Sequence, residues 1–185
     1  MKSHILLSHP GLRGVTTGLL VICFLVVSAF SILPSVHAAT QAPATATHCV
    51  TVVDQLHPGE RTSRVLSYQC ATGNQQLQIP AICIGSRTLI MSWYVDANYN
   101  GGSTLIYGCG PPCDSAGYGI AYVGDGWNDR ISSFKVWNNC FYTRAYTNIN
   151  YGGTCQRYHN NVSYVGSTMN DRISSFWVNL DVHYC

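Results

Sequence analysis

The heptapeptide Asn-Asp-Arg-Ile-Ser-Ser-Phe occurs twice, at 128–134 and again at 170–176, forty-two residues on. Composition does not write the same seven residues twice at fixed distance, so the chain holds two copies of one structural unit. The copies reach further upstream. "YVDANYNGG" starts at Tyr94 and "YTNINYGGT" at Tyr146. Both fit Tyr-x-x-x-x-Tyr-x-Gly, as Tyr94, Tyr99 and Gly101 and then Tyr146, Tyr151 and Gly153. "YVG" precedes each heptapeptide, at 122–124 and 164–166. The upstream halves are offset by fifty-two residues and the downstream halves by forty-two. Copy one therefore carries about ten extra residues, around "CGPPCDSAG" at 109–117.

Within the copies the local pattern is that of β-structure. "RTLIMSWYV", "STLIYG", "GIAYVG", "RISSFKVW", "CFYTRAY", "TCQRYH", "VSYVG" and "RISSFWVNL" are short β-branched or aromatic runs broken by Gly, Asn or Asp. No window sustains a 3.6-residue period. Turn signals every 8–12 residues predict an all-β sandwich of two four-stranded units. Upstream, "CVTVVDQL" (49–56) and "SRVLSYQC" (63–70) read as two strands around the turn residues of "HPGE" (57–60). Cys49 and Cys70 then fall at the far ends of one hairpin. The stretch 71–85 reads as a short helix or irregular structure.

Residues 1–38 read as a secretory signal. Lys2 and Arg13 precede or border an apolar run over 15–34, no acid occurs, and Val36 and Ala38 stand at the small-residue cleavage positions. The alternative is an uncleaved anchor, since about 20 apolar residues can just cross a bilayer. Without this segment eight basic residues face eight acidic ones, and Lys135 is the sole lysine. No basic run remains, which argues against nucleic acid and anionic membrane surfaces as partners. Eight cysteines also remain: Cys49, Cys70, Cys83, Cys109, Cys113, Cys140, Cys155 and Cys185. An even number in an exported chain predicts disulfides. The pairings expected are Cys49–Cys70, Cys109–Cys113, Cys140–Cys155 and Cys83–Cys185. The domain plan is a signal over 1–38, a disulfide-tied extension over 39–85, and a repeat domain over 86–185 with motif one at 87–137 and motif two at 139–180. The extension is too short for a core of its own.

The hairpins and heptapeptides together, each twice and in the same order, resemble bacterial βγ-crystallin domains of the calcium-binding kind. The resemblance covers roughly 86–180. It implies two Greek-key motifs packed as a disulfide-stabilised sandwich, with an N/D-N/D-x-x-S/T-S clamp in each: Asn128-Asp129-Arg130-Ile131-Ser132-Ser133 and Asn170-Asp171-Arg172-Ile173-Ser174-Ser175. Two Ca2+ sites follow, each drawing ligands from both clamps. Asp129 and Asp171 would supply carboxylates and Ser132 and Ser174 hydroxyls. Arg130, Arg172, Val95 and Thr147 would supply backbone carbonyls. Asn128 and Asn170 would shape the turns more than touch the ion. Ser133 and Ser175 would hydrogen-bond the folded hairpins, and Ile131, Phe134, Ile173 and Phe176 would be core. The chemistry is consistent, because calcium is a hard cation that takes six to eight oxygens. One carboxylate per clamp predicts modest affinity, about 10⁻⁵–10⁻³ M.

Other chemistries fare poorly. The four histidines outside the signal, 48, 57, 159 and 183, include no zinc-spaced pair. There is no Gly-x-Ser-x-Gly elbow and no phosphate loop, and with every cysteine paired no thiolate nucleophile remains. Asp96, Asp114, Asp125 and Asp181 read as turn or surface residues, and "NVS" (161–163) as a turn more than a glycosylation acceptor. The expectation is a non-catalytic, extracellular protein. The sequence is also similar, in size, bridges and Greek-key repeat, to secreted βγ-crystallin-like metalloproteinase inhibitors. That implies an extracellular protease as partner, with the Pro-stiffened 109–117 insertion as its contact. A killer-toxin-like secreted effector on the same fold is a third reading.

Overall fold

A computed structural model describes residues 46–73 and 75–185. The expected signal, and 39–45 of the extension, lie outside them. Nine strands form two sheets: β1 (Thr47–Asp54), β2 (Val65–Thr72), β3 (Arg87–Asp96), β4 (Asn100–Cys109), β5 (Tyr118–Ile120), β6 (Ser133–Val136), β7 (Tyr142–Asn148), β8 (Gly152–His159) and β9 (Ser175–Asn179). Their order is β2-β1-β4-β3-β6 in one sheet and β5-β9-β7-β8 in the other. Motif one thus gives three strands to the first sheet and its third strand, β5, to the second. Motif two supplies β7, β8 and β9 to the second sheet. It returns only a single bridge to the first, where Val162 and Phe134 exchange backbone hydrogen bonds of 2.9 and 3.0 Å. This exchange is a Greek key made twice, and the second sheet takes one of its four strands, β5, from motif one.

The fold class is the expected one, and the strand count differs in two places. "VSYVG" forms that one bridge and no strand. The sheet built on motif one has five strands because β1 pairs in parallel with the edge strand β4, from His48↔Ser103 to Asp54↔Cys109. An open edge offers a row of unpaired N–H and C=O groups, and β1 consumes them. Its Val50, Val52 and Val53 are buried in the process. The described residues of 71–85 form no helix; beyond the end of β2 at Thr72 they are irregular.

The core lies between the sheets. Strand alternation sends Ile90, Ala145, Phe176 and Val178 inward. Trp93 stacks on Phe176 at 5.7 Å between centroids, and Phe134 meets the same ring edge-on at 5.6 Å. Ile131, Phe134, Ile173 and Phe176, the apolar members of the heptapeptides, are all fully buried.

The disulfide map corrects three of the four expected pairings. Cys49–Cys70 forms between directly opposed residues of β1 and β2. The others are Cys83–Cys109, Cys113–Cys140 and Cys155–Cys185, in place of Cys109–Cys113, Cys140–Cys155 and Cys83–Cys185. The reason lies around Pro111 and Pro112. Cys109 ends β4 opposite Arg87, within reach of the segment that precedes β3. Cys113 instead turns into the core, its N–H bonded to Asn138 O at 2.9 Å, beside buried Cys140.

Each Tyr-x-x-x-x-Tyr-x-Gly segment folds over on itself. Tyr94 and Tyr99 meet edge-to-face at 5.8 Å, and Tyr146 and Tyr151 at 5.7 Å. Asn98 and Tyr99 have φ of 58° and 63°, and Asn150 and Tyr151 have 53° and 61°. These left-handed residues are costly except for Gly and Asn, so something must hold them. Gly101 follows at φ 76°, where a Cβ would stand 2.6 Å from Val95 Cγ2. The holding group is the buried second serine of each clamp. Ser133 Oγ donates to Asp96 O at 2.6 Å and accepts from Tyr99 N–H at 3.0 Å. Ser175 Oγ donates to Asn148 O at 2.7 Å and accepts from Tyr151 N–H at 3.1 Å. Ser175→Ala strands both partners and should cost about 2–3 kcal/mol in urea denaturation. A loss below about 0.5 kcal/mol, the scale of an ordinary surface change, would show that the hairpin holds itself.

Candidate functional site

The two clamps lie side by side. Asp129 N–H donates to Ile173 O at 3.2 Å, and Asp171 N–H donates to Ile131 O at 3.3 Å. These reciprocal bonds relate the turns by a pseudo-twofold axis. Each turn is built the same way from its own sequence. Gly124 O accepts from Trp127 and Asn128 N–H, as Gly166 O does from Met169 and Asn170 N–H. Arg130 and Arg172 N–H then bond to Trp127 O and Met169 O. Asp129 and Asp171 take up φ of 57° and 54°, a conformation acids and amides tolerate better than other side chains.

Next, each clamp is pinned to the hairpin of its own motif. Ser132 N–H donates to Tyr94 O at 3.0 Å and Ser174 N–H to Tyr146 O at 2.9 Å. That places Val95 and Thr147 beside the hydroxyls of Ser132 and Ser174. The Ser174 hydroxyl donates to Thr147 O at 2.9 Å. Ser132 Oγ has no corresponding hydrogen bond among the described residues.

One open cleft collects Asp129 and Asn128 from motif one with Thr147, Asn148 and Ser174 from motif two. A carboxylate from one clamp therefore shares a cleft with a hydroxyl and a backbone carbonyl of the other motif. Neither Asp129 nor Asp171 is in an ion pair among the described residues. Asn128 Nδ2 donates to Asp129 Oδ2 at 2.9 Å, and Asn170 Nδ2 donates likewise to Asp171. Asn128 Oδ1 is buried without a partner, and a buried carbonyl oxygen of this kind ordinarily has one. Arg130 and Arg172 turn their guanidiniums back to Gly126 O and Thr168 O, so only their backbone carbonyls could serve an ion.

The donors gathered here are oxygens of carboxylate, hydroxyl, amide and backbone. That set suits a hard cation and disfavours zinc or copper. Asp129 is the one carboxylate among the residues that line this cleft, and among the described residues no three His, Cys, Asp or Glu side chains gather as a metal cluster.

Tyr122 also lines the cleft, and the motifs singled out from sequence gave it no role. Its hydroxyl donates to Asp125, and this bond holds its pKa above the usual tyrosine value. The signal was present in the sequence as the repeated "YVG". Ile149 and Asn150, at the tip of the second hairpin, complete the wall. The Asn150 N–H bonds to Ala121 O at 2.8 Å and ties that tip to the residue that follows β5.

A family model described as peptidase inhibitor family I36 matches residues 145–185. Among solved structures, the chain is similar to a βγ-crystallin domain from Clostridium beijerinckii at 25% identity, with a TM-score of 0.39, over 50% of this chain and 99% of that one. It is similar to a βγ-crystallin domain from Flavobacterium johnsoniae at 23% identity and TM-score 0.39, over 51% and 99%. It is also similar to an archaeal βγ-crystallin at 29% identity and TM-score 0.37, over 49% and 98%. No curated protein sequence matches the chain. The two likenesses named from the motifs, to βγ-crystallin domains and to crystallin-like inhibitors, both recur here.

Proposed function

We propose that the chain is an extracellular, non-catalytic βγ-crystallin-type domain that binds two calcium ions through its paired clamps. The carrying observation is that Asp129 of one clamp meets Thr147 and Ser174 of the other motif in one cleft lined with oxygens. Calcium needs more oxygens than one six-residue turn can aim at a point, and two turns joined by reciprocal bonds supply them. The second ion takes the related set, Asp171 with Ser132 and Val95. The Ser174 hydroxyl donates its proton to Thr147 O, which leaves its lone pairs for an ion. Export is supported by the signal-like N-terminus and the four disulfides.

Because an ion bound to the folded state alone stabilises it by mass action, saturation to a hundredfold over Kd adds about 2.7 kcal/mol. For a domain of this size that is roughly an 8 °C rise in melting temperature for each ion bound, and about twice that for both. A melt of the oxidised protein across a calcium series should show it, chelator should reverse it, and Asp129→Ala/Asp171→Ala should lose it. A melt indifferent to calcium would reduce the two heptapeptides to scaffold.

A second reading, peptidase inhibition, has its own observation besides the family match over 145–185. Pro111, Pro112, Asp114, Ser115 and Ala116 are exposed on a segment held at many points. Cys109 and Cys113 are bridged to two different places. Asp114 Oδ1 accepts from Ala116 and Gly117 N–H, and Trp177 Nε1 donates to Ala116 O at 2.8 Å. A loop so restrained loses little entropy on docking. If it contacts a metalloproteinase, Pro111→Gly/Pro112→Gly should weaken inhibition roughly tenfold. No inhibition across a metalloproteinase panel would set this reading aside.

A further inference from the structure

The outer face of the four-stranded sheet carries positive charge that no ion pair among the described residues answers. Of the arginines among the described residues, Arg64, Arg87, Arg130 and Arg172 donate side-chain hydrogen bonds. The three that donate none are Arg61, Arg144 and Arg157, and they gather at one place. Arg157 on β8 stands directly opposite Arg144 on β7, and Arg144 stands opposite Trp177 on β9. Residues in register on neighbouring strands share a face, and here it is the solvent side, since the alternate residues Ala145, Phe176 and Val178 enter the core. Arg61 reaches the same row from the loop before β2, its guanidinium 5.8 Å from the Trp177 ring.

Like charges directly opposed across a strand pair destabilise it. The ion pairs among the described residues are Arg64–Asp54 and His57–Glu60, neither of them on this face. Asp181, on the segment after β9, pairs with none of these arginines. The side chains are nonetheless held in place. Arg144 lies 5.0 Å from the Trp177 centroid and Arg157 4.5 Å from that of Tyr184. Stacking of this kind fixes the guanidinium plane and leaves its N–H edges free for an acceptor. Arg144 Nε is buried without a partner, an expensive state for a charged donor. His159 and His183 join both arginines around a cleft of about 280 Å³.

We propose that this cleft binds a compact tetrahedral oxyanion, a sulfate or phosphate group, between Arg144 and Arg157. Two guanidinium forks on adjacent strands offer more N–H donors than one carboxylate can accept. A tetrahedral oxyanion presents three or four oxygens to them, with charge to offset the opposed arginines. Arg61, across Trp177, adds long-range attraction. The charge is split over three distant parts of the chain, so no basic run marks it in the sequence.

The test is a titration followed on the indole N–H resonance of Trp177, with chloride exchanged for inorganic phosphate, inorganic sulfate or phenyl phosphate at constant ionic strength. A saturable shift is expected, roughly tenfold weaker in Arg157→Gln and in Arg144→Gln and unchanged in Arg87→Gln. Arg157 is exposed, so its variant keeps the fold and decides the matter even if Arg144→Gln does not fold. Tighter binding of phenyl phosphate than of inorganic phosphate assigns the group to an ester on a larger ligand; the reverse order assigns the free ion. A shift that never saturates, or that is the same in Arg157→Gln, would make the effect general screening and overturn the proposal.

Discussion

Two backbone hydrogen bonds, Asp129 N–H to Ile173 O and Asp171 N–H to Ile131 O, hold the two motifs in their pseudo-twofold relation. The second sheet is incomplete without a strand of motif one. Motif one donates β5 to its neighbour, and motif two answers with the bridge at Val162. The reciprocal bonds sit where the exchanged segments cross, with Ile131 and Ile173 buried just beneath. The sites depend on the same join. Ligands for a cation are held to useful precision only when their backbone is fixed independently of the ion. Here that backbone is fixed by a core, by the hairpin serines and by the opposite clamp.

This arrangement explains why one six-residue segment performs so many tasks. In Asn-Asp-Arg-Ile-Ser-Ser, the isoleucine fills the core and the final serine closes the folded hairpin. The arginine side chain caps its own turn, while asparagine and aspartate of the first copy and the first serine of the second line the cleft. Substitution at nearly any position disturbs packing or backbone as well as the cleft. Stability and ion affinity therefore have to be measured separately for every variant.

The repeat was legible because its chemistry is local. The hairpin tyrosines, the glycine and the second serine each act within one motif, where the paired rings meet and the serine bonds to the folded hairpin. The core members of the heptapeptides were legible for the same reason. What escaped reading depends on contacts between distant segments. The disulfide map turned on whether Pro111-Pro112 lets Cys113 face the core, which spacing does not reveal. β1 was recognised as a strand, but its parallel place beside β4 required knowing which edge lay open. The Arg157–Arg144 opposition arises only from strand register. Tyr122 sat in a repeated tripeptide whose role became visible once the cleft was assembled.

The central claim is that each ion would bridge the motifs instead of sitting within one clamp. A double-mutant cycle on calcium affinity, measured calorimetrically for the two binding steps, tests this directly. If sites are shared across motifs, Asp129→Ala and Ser174→Ala act on the same ion, and the second substitution adds little once the first is made. Asp129→Ala and Ser132→Ala would then act on different ions, with additive effects. The opposite pattern, coupling between Asp129 and Ser132 and independence of Asp129 from Ser174, would place each ion within a single clamp and contradict the account.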